Sequence, residues 1–251
     1  DPKTGEPLVE FSNAAVSADS ADNFYWDNSI SPSVNGVNNY VRSLTVYDNK
    51  LIAGGEFTSV AGLSANYIAA WDGTSWSALG TGLNNVVLAL TVYDNKLIAG
   101  GRFSTAGNVA ANYVAVWDGL SWSTLGTGLS FWVLALTVYD SNLIAGGMFT
   151  TAGGVAANRI ACWDGAGWSA LGTGVNNNVS ALTVYNNKLI AGGSFTSAGG
   201  VPASYIASWN GLNWSALGTG MNTTVYVLTV YDSKLIAGGL FITAGGVPAS
   251  F

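Results

Sequence analysis

The tetrapeptide Leu-Thr-Val-Tyr begins at Leu44, Leu90, Leu136, Leu182 and Leu228, each copy 46 residues after the last with no insertion or deletion between them. A chain that repeats with such regularity folds as a series of like units, each burying its apolar surface against its neighbours. One period shows what the unit is. VVLALTVY (86–93) is rich in β-branched and aromatic residues, and KLIAGG (96–101) follows it across Asp94-Asn95. NYVAVWD (112–118) then leads through Gly119 into SWSTLG (121–126). Asp, Asn and Gly at the junctions are the residues that tight hairpins require. No apolar period of 3.6 residues runs long enough for a helix.

Four antiparallel strands per repeat make a meandering blade, and the repeat length falls in the range of propeller blades. One blade cannot bury both its faces, whereas a ring of blades can. The paired glycines at 54–55, 100–101, 146–147, 192–193 and 238–239 predict close approach by a neighbouring backbone or aromatic ring. The pairs Trp71/Trp76, Trp117/Trp122, Trp163/Trp168 and Trp209/Trp214 supply large side chains to fill the space between blades. The expected fold is all-β, a five-bladed β-propeller of four-stranded repeats over residues 23–251.

Its fifth repeat breaks off at Phe251. Residues 23–43 supply the missing part to within one residue: Trp26-Asp27 matches the other Trp-Asp pairs, and Gly36-Val37-Asn38-Asn39 matches Gly82-Leu83-Asn84-Asn85. The N-terminal strands are therefore expected to complete the last blade and hide both sheet edges. Residues 1–22 stand outside the repeat. They read as a flexible leader, or as an arm whose Pro7-Leu8-Val9-Glu10-Phe11 segment pairs with a neighbour's strand.

Composition removes several functions. Charged residues are only 9% of the chain, and net charge is −6 with eight basic residues, which is not the footprint of a nucleic-acid binder. The longest apolar stretches, such as FWVLAL (131–136), are far too short to span a bilayer as a helix. Cys162 has no second cysteine to pair with and sits where other copies have Ala, Val or Ser, as a small core residue would.

The diglycine, the aromatic-Asp pair and the trailing Trp, as in LIAGGEF…NYIAAWDGTSW (51–76), resemble a kelch-type repeat. They are most similar to the degenerate kelch-like repeats of bacterial cell-surface proteins and fungal cortical-marker proteins. That resemblance implies a propeller at the cell surface and names no activity. The Trp-Asp dipeptide is shared with WD repeats, but that family leans on a Gly-His dipeptide and buried histidine, and this chain has no histidine. Galactose oxidase, a kelch-like relative, needs histidine among its copper ligands, so its chemistry does not carry over.

Lack of histidine and a single cysteine also exclude a zinc site of the usual kind and any Ser-His or Cys-His pair. The recurring acids fall in turns. Asp48, Asp94, Asp140 and Asp232 occupy one hairpin where the fourth copy has Asn186; Asp27, Asp72, Asp118 and Asp164 occupy another where it has Asn210. Turn residues tolerate that exchange and catalytic acids do not. One carboxylate per turn is also too few oxygens for calcium. No catalytic residue, metal or cofactor is expected.

The copies disagree in two places, which kelch-type geometry places on one face of the ring. One is the link between blades: Asn39-Tyr40, Asn85-Val86, Phe131-Trp132, Asn177-Asn178 and Thr223-Thr224. The other follows each diglycine: Glu56, Arg102, Met148, Ser194 and Leu240. Of ten tryptophans only Trp132 lies off the repeated positions. With Phe131 it reads either as a contact surface for a sugar or protein partner or as an inward plug over the channel. The expectation is a non-enzymatic extracellular propeller that binds or adheres through these rim loops to protein or glycan. The alternatives are a lectin and a self-assembling structural subunit, a homo-polymer built through the N-terminal arm or strand exchange.

Overall fold

The computed structural model describes residues 36–249. It is all strands and turns, and each repeat forms an antiparallel sheet in chain order. Blade 1 comprises Val41–Tyr47, Lys50–Gly55, Ile68–Trp71 and Trp76–Ala78. Blade 2 repeats it as Val87–Tyr93, Lys96–Gly101, Val114–Trp117 and Trp122–Thr124, and blades 3 and 4 begin at Val133 and Val179. The first strands pack against one another from blade to blade, so they form the inner wall.

The tight turns form because their residues accept left-handed backbone. Asp94 and Asn95 have φ of 48° and 54°, closing Tyr93 onto Lys96 as a two-residue hairpin. The next strand, KLIAGG, does not alternate apolar with polar, and packing explains why. Leu97 and Ile98 point to opposite faces, and each is buried in a different core: Leu97 between blades 1 and 2, Ile98 between blades 2 and 3. A strand sandwiched between two blades has no wet side.

Each repeat also holds a two-residue hairpin that periodicity did not reveal, such as Thr105–Ala106 with Val109–Ala110. A residue of the preceding link joins it by an isolated bridge, Leu83 to Ala106 in blade 2. Just before it lies a phenylalanine. Phe57, Phe103, Phe149 and Phe195 are fully buried and are the largest side chains that are, so the largest wholly buried filling is phenylalanine and not tryptophan. The tryptophans act across the blade junctions. Trp122, Trp168 and Trp214 donate their indole N–H to the carbonyls of Leu79, Leu125 and Leu171 in the preceding blade, at 2.9, 3.0 and 2.9 Å. Cys162 is half-buried against the core between blades 3 and 4, and burial pushes its thiol pKa up.

The two glycines of each pair have separate duties. A Cβ on Gly100 would lie 2.5 Å from Val133 Cγ1 of the next blade, and one on Gly101 would lie 2.1 Å from the Val86 carbonyl oxygen of its own link. The first lets blades close on one another and the second lets the link cross the sheet. Side chains and backbone make these approaches; no aromatic ring does.

Among the described residues the ring is not closed. The fifth sheet has two strands, Val225–Tyr231 and Lys234–Gly239. Leu44 of blade 1 is 58% exposed, whereas its counterparts Leu90 and Leu228 are each 8% exposed. The expected closing segment falls largely on residues 23–35, outside the described residues, as does the 1–22 leader. Residues 37–43 do not join the fifth sheet: Val37 bridges Val60, and Val41 and Ser43 pair with Gly55 and Gly54 in blade 1. No helix among the described residues is long and apolar enough to cross a membrane.

Candidate functional site

Strand register divides the charged residues between two ends of the blades. Tyr47 pairs with Lys50 at one end and Val41 with Gly55 at the other. The third strand runs from Ile68 opposite Gly54 to Trp71 opposite Leu51. Both sets of aspartate turns therefore lie at the first end. The links and diglycines share the second, here called the rim.

At the aspartate end the carboxylates of one turn set, Asp72, Asp118 and Asp164, are occupied by backbone. Asp118 accepts the N–H groups of Leu120 and Ser121 at 2.8 and 2.7 Å, and Asp164 those of Ala166 and Gly167 at 2.9 and 2.8 Å. Asn210 accepts the same two bonds, from Leu212 and Asn213 at 3.0 and 2.8 Å, with its amide oxygen. These bonds favour the ionised acid and hold Asp72, Asp118 and Asp164 below the usual carboxylate range. A depressed folded pKa means stability that is full above the unfolded value and is lost as pH falls through the folded one. We expect Asp118→Asn to keep the turn and flatten the fall of Tm below about pH 4, as measured by thermal melts across an acid series of wild type and variant.

At the rim, the two variable positions of each repeat meet through one backbone bond. The residue after the diglycine donates its N–H to the carbonyl of the second link residue: Glu56 to Tyr40, Arg102 to Val86, Met148 to Trp132, Ser194 to Asn178 and Leu240 to Thr224, all at 2.8–3.0 Å. Positions some 16 residues apart in sequence become one site per blade. Sequence-variable side chains thus sit on an invariant backbone.

The structure sorts the expected rim residues. Asn39, Asn85 and Asn177 each turn their side-chain oxygen back onto the next backbone N–H, of Tyr40, Val86 and Asn178, at 2.8 Å. Their first role is local. Val86 is buried, Thr223, Thr224 and Asn178 are half-buried, and Tyr40 is exposed. In blade 1, Arg42 bonds Glu56 through Nε and Nη2 at 2.8 and 2.5 Å, and its guanidinium lies over the Tyr40 ring at 5.0 Å.

Phe131 and Trp132 are brought together with residues of the preceding blade. Their rings stack at 4.9 Å and 15°. Arg102 lies over Trp132 with its guanidinium carbon 4.2 Å from the ring centre, and Tyr113 meets Phe131 at 5.9 Å. Trp132 is half-buried and Phe131 is 39% exposed. Ser130 explains how the link tolerates this change. Its hydroxyl accepts the N–H groups of Thr150 and Thr151, replacing the amide oxygen with which Asn84 holds the same hairpin in blade 2. The hairpin is thus held by the residue before the pair, as in the other links, while Phe131 lacks the side-chain cap that Asn85 supplies to Val86.

One set of rim residues escaped sequence reading. Tyr67, Tyr113, Arg159 and Tyr205 have φ of 65°, 66°, 65° and 64°, a conformation that costs a bulky residue of order 1–3 kcal/mol. Each is pinned between the buried phenylalanine carbonyl and the second glycine N–H, Tyr113 by Phe103 at 2.9 Å and Gly101 at 3.0 Å. Their recurrence just before the third strand was the available signal, but nothing in a Tyr-rich strand marks left-handed backbone. Arg159 also donates to the Met148 carbonyl, placing a second arginine beside the Trp132 link.

A family model described as a domain of unknown function, the DUF5122 beta-propeller, matches residues 48–69 and 186–207. Both matches span the same part of the unit, from the tight turn through the diglycine to the third strand, in blades 1 and 4. No curated protein matches the chain. Among solved structures, the WD40 beta propeller domain of Doa1 is similar at a TM-score of 0.52 and 18% identity, over 80% of this chain. The chain spans 62% of that structure's length. The computationally designed Ika4 protein is similar at a TM-score of 0.43 and 18% identity, over 64% of this chain and 91% of that one. With the repeated four-stranded sheets and their inter-blade cores, the family match and the likeness to the Doa1 propeller identify the chain as a β-propeller repeat protein.

Proposed function

We propose that this propeller is a non-enzymatic binding module that acts through its rim at the cell surface. The observation that carries the reading is the convergence of both variable positions, blade by blade, on one rim whose backbone does not vary. Such a scaffold changes what it contacts without changing how it folds. The aspartates recur in turns, three as acceptors of backbone N–H groups and four in left-handed hairpin positions, which supports binding over acid–base chemistry. Extracellular placement rests on the resemblance to cell-surface repeats. Within this reading the ring has five blades.

The test exchanges the odd junction for its neighbour's sequence. Phe131→Asn with Trp132→Val reproduces Asn85-Val86, which the same backbone already carries in blade 2. The double variant is expected to keep the wild-type Tm and to lose at least tenfold in affinity for whatever glycan a glycan array identifies. Unchanged affinity would remove this junction from the function.

A second reading, self-assembly, has its own support. Gly54, Gly100, Gly146 and Gly192 each face a valine and a leucine of the next blade, whereas Gly238 meets only Val227 of its own blade. The open face of the fifth sheet and the exposed Leu44 face of the first are two halves of one interface. Joined within a chain they close a ring; joined between chains they make a polymer. Light scattering on the same samples separates the two.

A further inference from the structure

We propose that the junction of blades 2 and 3 binds an anionic saccharide, a uronic-acid-bearing glycan, with the sugar on Phe131 and its carboxylate on Arg102. The proposal rests on the binding-module reading and adds the ligand's charge. It starts from where the charges lie. All three arginines of the chain, Arg42, Arg102 and Arg159, are at the rim, where the only acid among the described residues is Glu56. The seven described aspartates and four described lysines all lie at the turn end. A chain of net charge −6 thus carries a locally cationic rim.

The three arginines differ in what they have left to offer. Arg42 is committed to Glu56, and Arg159 donates to the Met148 carbonyl. Arg102 is exposed and lies with its face on Trp132. A guanidinium held by its face keeps its edge N–H donors directed outward, in the fork that matches a carboxylate. Stacking also fixes the side chain beforehand, which lowers the entropy lost on binding. Beside it, the exposed Phe131 ring offers an apolar platform. The cluster is confined to one junction: the links Asn85-Val86, Asn177-Asn178 and Thr223-Thr224 carry no ring, and at Asn39-Tyr40 the arginine over the single ring is already bonded to Glu56. One junction is far smaller than the 20–30 residues a side of an ordinary protein interface, and it favours a saccharide over an acidic protein.

The experiment titrates the full chain with an oligogalacturonide, a neutral galacto-oligosaccharide and a polyglutamate peptide, by calorimetry, for wild type and Arg102→Ser. Serine is the residue of blade 4 at this position, Ser194, so the fold is expected to tolerate it, and the wild-type Tm checks that. The expected result is binding of the oligogalacturonide, at least tenfold weaker in R102S and weaker on raising salt, with the neutral sugar and the peptide bound poorly. Neutral sugar bound as well as the acidic one, with R102S harmless, overturns the proposal while leaving the rim reading intact. Peptide bound as well as the oligogalacturonide overturns it in favour of an acidic protein partner, and no binding of any probe overturns it outright.

Discussion

Gly147→Ala should be among the most damaging single-methyl additions in this protein, costing about 3 kcal/mol or more by overpacking a site that cannot yield. The added Cβ would sit 2.1 Å from the Trp132 carbonyl oxygen, and that atom is backbone, held in turn by the Met148 N–H at 2.9 Å. Relief requires the link to lift off the sheet. The loss would therefore reach beyond stability to the position of Trp132 and the aromatic stack. Gly167→Ala is the control: no atom lies within 4 Å of its added Cβ, and its φ is not in the left-handed region. Urea melts should show a large fall in midpoint for the first and almost none for the second. Similar melts for both would mean that the link does not cross the sheet as described.

Trp168→Ala is the second large effect, about 4 kcal/mol from lost burial and the cavity left behind. The indole is 7% exposed, packs against Trp163 at 5.5 Å and donates to the Leu125 carbonyl of the preceding blade. Trp168→Phe separates the contributions. It keeps most of the apolar area but leaves a buried carbonyl without its donor, for about 1–3 kcal/mol. Because the bond crosses between blades, hydrogen exchange should rise on both sides of the 2–3 junction, in Leu125 to Gly128 as well as in the blade that carries the substitution. Exchange confined to blade 3 would show that the staple does not couple the blades.

The unit was legible because its signals are local. Asp94-Asn95 specifies a two-residue turn, β-branched runs specify strands, and a 46-residue period requires stacking whatever the angle between units. Asp and Asn alternate at 164 and 210 because both present an oxygen to the same backbone N–H groups, which repeat comparison alone indicates. Local signals failed where the reason was a contact. Phe103 looks like any apolar residue after a diglycine, yet it is the largest fully buried side chain of its blade. Ser130 looks like part of an odd link, yet it preserves the acceptor with which Asn84 holds the same hairpin in blade 2.

The sequence by itself determined the strands, the turns, the repeat and the division between constant and variable positions, since these depend on neighbours along the chain. Only the tertiary structure decided that Arg102 lies on Trp132, and that two variable positions share one hydrogen bond. It also decided that every arginine faces the same way. The first depends on how one blade is set against the next, and the others on strand register within a blade; both are fixed by contacts between residues far apart in the chain, which no local pattern contains.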